Sequence, residues 1–127
     1  MTTLLVPRSA AISQPPAGLL GVVVFDFTFN DPTPWVICTI PGDRRILSVT
    51  LIIGTAFDGF EAAIAVGDGD DPEALMPYDG NDPSLPGVYV ASSLPLYLLP
   101  TDILLTMAPS AGASQGAGTI ILEIEPF

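Results

Sequence analysis

The stretch Phe25-Asp-Phe-Thr-Phe29 alternates aromatic and polar side chains, and it is the clearest strand pattern in the chain. Successive side chains of a β-strand point to opposite faces, so the three rings share one face and the two polar residues occupy the other. The preceding residues 19–24 are apolar at every position, which predicts a strand covered on both faces. An Asn-Asp-Pro-Thr-Pro sequence at residues 30–34 ends this strand.

Further short apolar runs follow, bounded by Gly, Pro, Asp and Asn, and no amphipathic helix lies between them. These runs predict strands at residues 35–40, 45–53, 62–66, 88–91, 96–99, 102–107 and 119–124. In the 45–53 strand, period-two alternation predicts one shared face for Leu47, Val49, Leu51 and Ile53. In the last strand, the same alternation predicts that the inward-facing residues are Ile120, Leu122 and Ile124. The sequence therefore predicts an all-β fold, an antiparallel two-sheet β-sandwich that is jelly-roll-like.

The first 18 residues differ from the rest, because they contain three prolines and show no clear periodicity. Proline cannot donate to a strand ladder, which keeps this segment out of a central strand. We therefore predict an extended N-terminal arm, residues 1–18, and a single β-sandwich domain, residues 19–127. The arm is expected to contact a neighbouring subunit and to be dispensable for folding of the sandwich.

The chain is at once acidic and apolar. Fourteen Asp and Glu residues stand against three arginines, giving a net charge of −11, while 49% of the residues are hydrophobic and the mean hydropathy is +0.56. A domain of this size buries only about two-thirds of the surface that its unfolded chain exposes. Part of the remaining apolar surface is expected to lie against another protein, so we predict a homo-oligomer, a trimer or alternatively a dimer.

The charge also excludes several partners. Each phosphate contact needs a cation, and Arg8, Arg44 and Arg45 are the cationic side chains, so neither nucleic acid nor an anionic membrane is expected as a partner.

Prolines and glycines interrupt the apolar stretches 83–101 and 103–122, which excludes a transmembrane helix there. No cation precedes the short apolar patch at the N-terminus, so synthesis in the cytoplasm without a secretory signal is expected. Cys38 lies in an apolar run and is interpreted as a core residue.

Catalytic chemistry is poorly represented. Without histidine or lysine, Ser-His-Asp triads and Schiff-base routes are absent, so we predict no enzyme, no catalytic residue and no cofactor. The acidic segment 67–86 offers oxygen ligands at alternate positions, but it lacks the five spaced ligands of an EF-hand. We assign no metal site and interpret it as a solvated loop, with calcium binding as the alternative. If the loop is solvated, the protein should tolerate conversion to Asn or Gln of Asp68, Asp70, Asp71 and Glu73.

An ordered series of segments in the second half is similar to a known module. The series is Arg45-Ile-Leu-Ser-Val-Thr-Leu51, Thr55-Ala-Phe-Asp-Gly59, Ile64-Ala-Val-Gly-Asp68, Asp71-Pro, Leu75-Met76, Pro86-Gly-Val-Tyr89, Pro100-Thr-Asp-Ile-Leu104 and Ala113-Ser-Gln-Gly-Ala-Gly-Thr-Ile-Ile-Leu122. It resembles a β-rich module of small virion proteins of tailed bacteriophages, including capsid decoration (cement) proteins and head-fibre bases. The resemblance covers residues 45–127, whereas residues 1–44 show none.

The resemblance implies a non-enzymatic, oligomeric structural subunit attached to a capsid. Because a subunit of charge −11 is repelled by packaged DNA, we expect it on the outer surface of the virion. The predicted function is decoration and stabilisation of the outer capsid shell by bridging major capsid protein subunits. The alternative is a head-fibre, tail or receptor-binding module, which would need exposed loop aromatics, for which the candidates are Tyr78, Tyr89 and Tyr97.

Overall fold

The computed structural model describes residues 21–31, 33–58, 62–91, 96–108 and 114–126. The strands in these ranges are β1 (Gly21–Thr28), β2 (Trp35–Ile40), β3 (Arg44–Thr55), β4 (Ala63–Gly67), β5 (Gly87–Ala91), β6 (Leu96–Tyr97), β7 (Thr101–Ala108) and β8 (Ala117–Pro126). One 3-10 turn, Tyr78–Gly80, is the helical element in this part of the chain, and no helix there is long and apolar enough to cross a membrane. The predicted all-β class is confirmed. The predicted arm, residues 1–18, lies outside the described residues.

The strands form two antiparallel sheets. The larger sheet has the order β1-β8-β3-β5, with β6 also paired to β3, and the smaller sheet has the order β2-β7-β4. Consecutive strands β1 to β4 alternate between the sheets, and β1 and β2 pair with β8 and β7, respectively, near the other end of the chain. This arrangement confirms the two-sheet sandwich, whereas the finer jelly-roll assignment stays a prediction.

The hydrophobic core lies between the inner faces of the two sheets. Phe25 and Phe27, from the alternating aromatic stretch, are each 1% exposed, and Phe29 packs against the core just beyond the end of β1. The ring of Phe25 meets that of Trp35 of the smaller sheet edge to face, with centroids 5.4 Å apart. Period-two burial on β1 and β8 thus brings the predicted aromatic and aliphatic faces together.

One predicted face is shifted by a β-bulge in β3. The pairing of β3 with β8 changes register between Ile46 and Ser48, which inserts an extra residue, Leu47, at that point. Ile46 is consequently buried in the core, and Leu47 is half-buried. The prediction that Leu47 shares the inner face was wrong, whereas the remainder of that face, from Val49 onward, is confirmed.

The prediction that residues 19–24 are covered on both faces was also wrong for the described part of that segment. Val23 is 3% exposed, but its neighbours Val22 and Val24 are 41% and 39% exposed. β1 lies at the edge of the larger sheet, and the outer side chains of this sheet point away from the core. Apolar residues at consecutive positions therefore leave an apolar outer face.

The segment that follows β4 covers the edge of the smaller sheet. The backbone N–H groups of Leu75 and Met76 each donate to the carbonyl of Val66 at 2.9 Å, and the N–H of Val66 donates to the carbonyl of Met76 at 3.0 Å. The side-chain amide of Asn81 donates to the carbonyl of Ile64 at 3.0 Å. Leu75 and Met76 are each 1% exposed, so the interpretation of this segment as a solvated loop was wrong for its apolar residues. They protect an edge strand from pairing with another chain.

Candidate interaction surface

The outer face of the larger sheet presents an ordered array of side chains. We define this outer face by the residues of the larger sheet that point away from the core, arranged in cross-strand rows. The rows are Asp26-Thr119-Ile52-Val88, Val24-Ile121-Thr50-Val90, Val22-Glu123-Ser48 and Glu125-Arg45-Leu96. The first two rows hold five apolar residues of eight, together with Asp26, Thr119 and Thr50, whereas the last two rows contain three of the four charged side chains.

Exposed apolar residues concentrate on this outer face. Of the nine large hydrophobic residues that are exposed among the described ranges, the outer face contributes Val22, Val24, Val88, Val90 and Leu96. Val88 and Val90 are each 63% exposed. On the outside of the smaller sheet the corresponding group is Val36 at 38%. A clustered apolar surface is a mark of a contact site, whereas scattered single residues are not.

The polar residues of the outer face bind one another across the strands. The hydroxyl of Thr119 donates to Asp26 Oδ1 at 2.7 Å, and the hydroxyl of Ser48 donates to Glu123 Oε1 at 2.6 Å. Arg45 forms a hydrogen-bonded ion pair with Glu125 at 2.5 Å. Because these groups already have partners, covering them with another protein carries a smaller desolvation penalty.

A shallow depression of about 300 Å³ lies at one end of the outer face. Its lining includes Asp26, Ile52, Gly54, Ala117 and Thr119. The small side chains at the ends of β3 and β8 leave it open to solvent. It therefore forms part of the outer face and does not enclose a small molecule as a ligand pocket does.

The acidic segment uses its carboxylates to hold its own backbone. Asp68 Oδ1 accepts hydrogen bonds from the N–H groups of Asp70 and Asp71, each at 2.9 Å, and Asp71 Oδ1 accepts from Glu73 N–H at 2.9 Å. These Asx-type turns satisfy backbone donors that would otherwise need water. Within the described ranges, no three His, Cys, Asp or Glu side chains converge to form a group that could hold a metal ion.

Asp68 also accepts a hydrogen bond from the hydroxyl of Tyr97, at 2.7 Å. Burial opposes the charged form of Asp68, but hydrogen bonds from Tyr97, Asp71 and Asp70 together outweigh it and lower the pKa of this carboxyl. Burial, followed by the hydrogen bond and charge of Asp68, raises the pKa of Tyr97. Sequence reasoning missed this pair, because Asp68 follows β4 whereas Tyr97 lies in β6, 29 residues further along the chain.

The tyrosines named as candidate exposed aromatics are half-buried. The hydroxyl of Tyr89 donates to the carbonyls of Asp82 and Leu85, each at 2.8 Å, and Tyr97 binds Asp68. Both therefore anchor the segment between β4 and β5 to the sheets. A receptor-binding surface would instead present aromatic side chains that stand free of such contacts.

Cys38 and Asp58 also have shifted pKa values, and in both cases the cause is the packing or hydrogen bonding of the fold. Cys38 is 3% exposed, and burial, with a smaller effect from the charge of Asp102, raises its pKa to about 12, so the thiol stays protonated near neutral pH. Asp58 accepts hydrogen bonds from the hydroxyl and N–H of Ser114 and the N–H of Gln115. These bonds, led by the one from the Ser114 hydroxyl, lower the pKa of Asp58. This link between the ends of β3 and β8 spans 56 residues and could not be read from the sequence.

No protein family model and no curated protein matches the chain. Among solved structures, the fold is similar to that of a chain in the cyanophage Pam1 capsid asymmetric unit, with a TM-score of 0.66 and 18% sequence identity. The similarity covers 97% of this chain and 96% of that chain. The two chains therefore have nearly the same length and share one fold throughout.

Proposed function

We propose that the protein is a structural component of a bacteriophage virion that decorates the outer capsid shell and stabilises it by bridging major capsid protein subunits. The observation that carries this proposal is the fold similarity to a chain of a cyanophage capsid asymmetric unit, which extends over 97% of this chain. Similarity over the full length of both chains favours a shared use of the whole sandwich over a shared domain in otherwise different proteins. The apolar outer face supplies a surface suited to such a contact.

The charge supports a place outside the shell. Packaged DNA would repel a subunit of net charge −11, whereas the outer surface faces solvent and mobile counterions. The partners in this proposal are the major capsid protein and further copies of the chain, in a trimer or a dimer. Nucleic acid and membranes have no role in it, and neither does catalysis.

A module of a head fibre, tail or receptor-binding protein is the competing function. It draws on the same all-β architecture, which many unrelated functions share. The half-buried tyrosines and the similarity to a capsid chain favour the shell over an adhesive role.

Imaging of assembled virions by electron cryomicroscopy tests the proposal. We expect density for the sandwich on the exterior of the shell, in contact with at least two major capsid protein subunits. Particles assembled without the protein should release their DNA at a lower temperature than complete particles, because bridging contacts oppose separation of the subunits. Density confined to the tail, or inside the shell, would contradict the proposal.

A further inference from the structure

We propose that the outer face of the larger sheet is the surface that binds the shell protein, through a patch on that protein with an apolar centre and a cationic rim. This inference rests on the proposed function, and it identifies both the contact surface and the chemistry of the partner.

The apolar centre of the contact consists of the apolar members of the first two rows, namely Val24, Ile121, Ile52 and two residues of β5. Val88 and Val90 at one side are 63% exposed, and Val24 at the other is 39% exposed, so β1, β8, β3 and β5 each contribute apolar side chains to this strip. Burial of apolar surface contributes roughly 25 cal/mol per Å², which makes this strip the main source of binding free energy on the face.

The size of the outer face argues against a self-contained pair of two copies. Four strands about 4.8 Å apart and four rows about 6.7 Å apart give a footprint of roughly 500 Å². A specific interface buries about 800 Å² on each partner. A contact of that size has to include surface beyond these rows, and Leu98 and Leu99, which directly follow β6, are apolar residues with exposures of 60% and 74%.

The charges on the outer face favour a partner of opposite sign. Asp26, Glu123 and Glu125 contribute three carboxylates and Arg45 one guanidinium, so the face has a formal charge of −2. In a face-to-face pair of copies, like charges would approach within about 10 Å, the spacing of packed sheets, where salt screens them incompletely. A cationic rim on a different protein would instead attract these carboxylates and orient the contact.

The test titrates purified variants onto virions that were assembled without the protein. Val24→Glu places a carboxylate in the apolar centre, and Val36→Glu on the outside of the smaller sheet is the matched control. Both positions are strand valines of nearly equal exposure, 39% and 38%. Val90→Glu, at a position 63% exposed, gives a second variant of the same face with little risk to folding. Circular dichroism and light scattering check the fold and the oligomeric state of each variant.

We expect Val24→Glu and Val90→Glu to weaken binding to particles at least tenfold, while Val36→Glu binds like the wild type. Binding of the wild type should also weaken as salt increases, and Glu123→Gln should reduce that salt dependence. Equal binding of Val24→Glu and Val36→Glu, or binding that is independent of salt, would overturn the inference. So would conversion of Val24→Glu to monomers that still bind particles, since the face would then join copies of the chain. Failure of the wild type itself to bind would instead contradict the proposed function.

Discussion

At the scale of single residues, the raised pKa of the Cys38 thiol leads us to predict that the folded protein becomes less stable in alkali. Its pKa is raised to about 12 by burial, whereas an exposed thiol titrates near 9. Above pH 9 the unfolded chain releases a proton that the folded chain keeps, so the stabilisation present below pH 9 declines as the pH rises. The free energy of unfolding should fall by about 1.4 kcal/mol per pH unit from this group.

Urea unfolding at pH 8, 9 and 10 measures this effect. The Cys38→Ala variant is expected to be less stable at every pH, because it leaves a small void in the core. Between pH 9 and 10, however, its stability should change less than that of the wild type. Parallel pH profiles for the two proteins would show that Cys38 is not protected from ionisation.

Asp68 is expected to differ from the other carboxylates of its segment. It accepts two backbone hydrogen bonds and one from Tyr97, whereas Asp70 is exposed and contributes its backbone N–H to the same turn. Asp68→Asn should lower the free energy of unfolding by about 1 kcal/mol, after allowance for solvent screening at this partly exposed site. Asp70→Asn is the control and should be neutral.

Thermal melts at pH 7 measure the difference, which should be about 4 °C for a domain of this size. We therefore expect tolerance of conversion to amides only at carboxylates of the segment that do not make hydrogen bonds of this kind, and not at Asp68. Identical melting temperatures for the Asp68 and Asp70 variants would contradict this distinction.

At the scale of strands, close packing around β8 predicts a sharp contrast between two glycines. A Cβ atom at Gly118 would lie 2.7 Å from the carbonyl oxygen of Ile52 and 2.8 Å from the ring of Phe27. Gly54 in β3 has no atom within 4 Å of the corresponding position. Gly118→Ala should therefore destabilise the fold by about 1 to 3 kcal/mol through overpacking, while Gly54→Ala should be neutral or slightly stabilising. Chemical denaturation of both variants measures this, and equal stabilities would show that β8 can move aside.

The strands themselves could be predicted to a large extent from the sequence. Alternation located β1 and β8 and identified their inner faces, because a period of two follows directly from strand geometry. It could not reveal the bulge at Leu47, since the extra residue is defined by the register against β8, 75 residues away between Ser48 and Glu123. The sheet order was likewise hidden, because it depends on pairings between distant parts of the chain.

At the scale of the whole molecule, the excess of apolar residues could be read from composition, but its location could not. The run at residues 19–24 predicted coverage on both faces, and the outer half of that prediction failed because no described part of this chain covers Val22 and Val24. A second protein supplies the missing layer in our proposal. The apolar pattern then describes the assembled state of the chain, in which its solvent-facing surface is the acidic remainder.

The N-terminal arm provides the last prediction at this scale. The described core residues extend from Val23 to Leu122, and the three prolines of residues 1–18 are unsuited to a central strand. Deletion of residues 1–18 should leave the melting temperature of the isolated protein nearly unchanged. The truncated protein should bind less tightly to particles that lack it, because the proposed contact with a neighbouring subunit adds to that of the outer face and linked contacts reinforce one another. Calorimetry and particle titration measure the two effects separately. If the truncated protein does not fold, the arm belongs to the core; if it binds as tightly as the full chain, the outer face alone accounts for attachment.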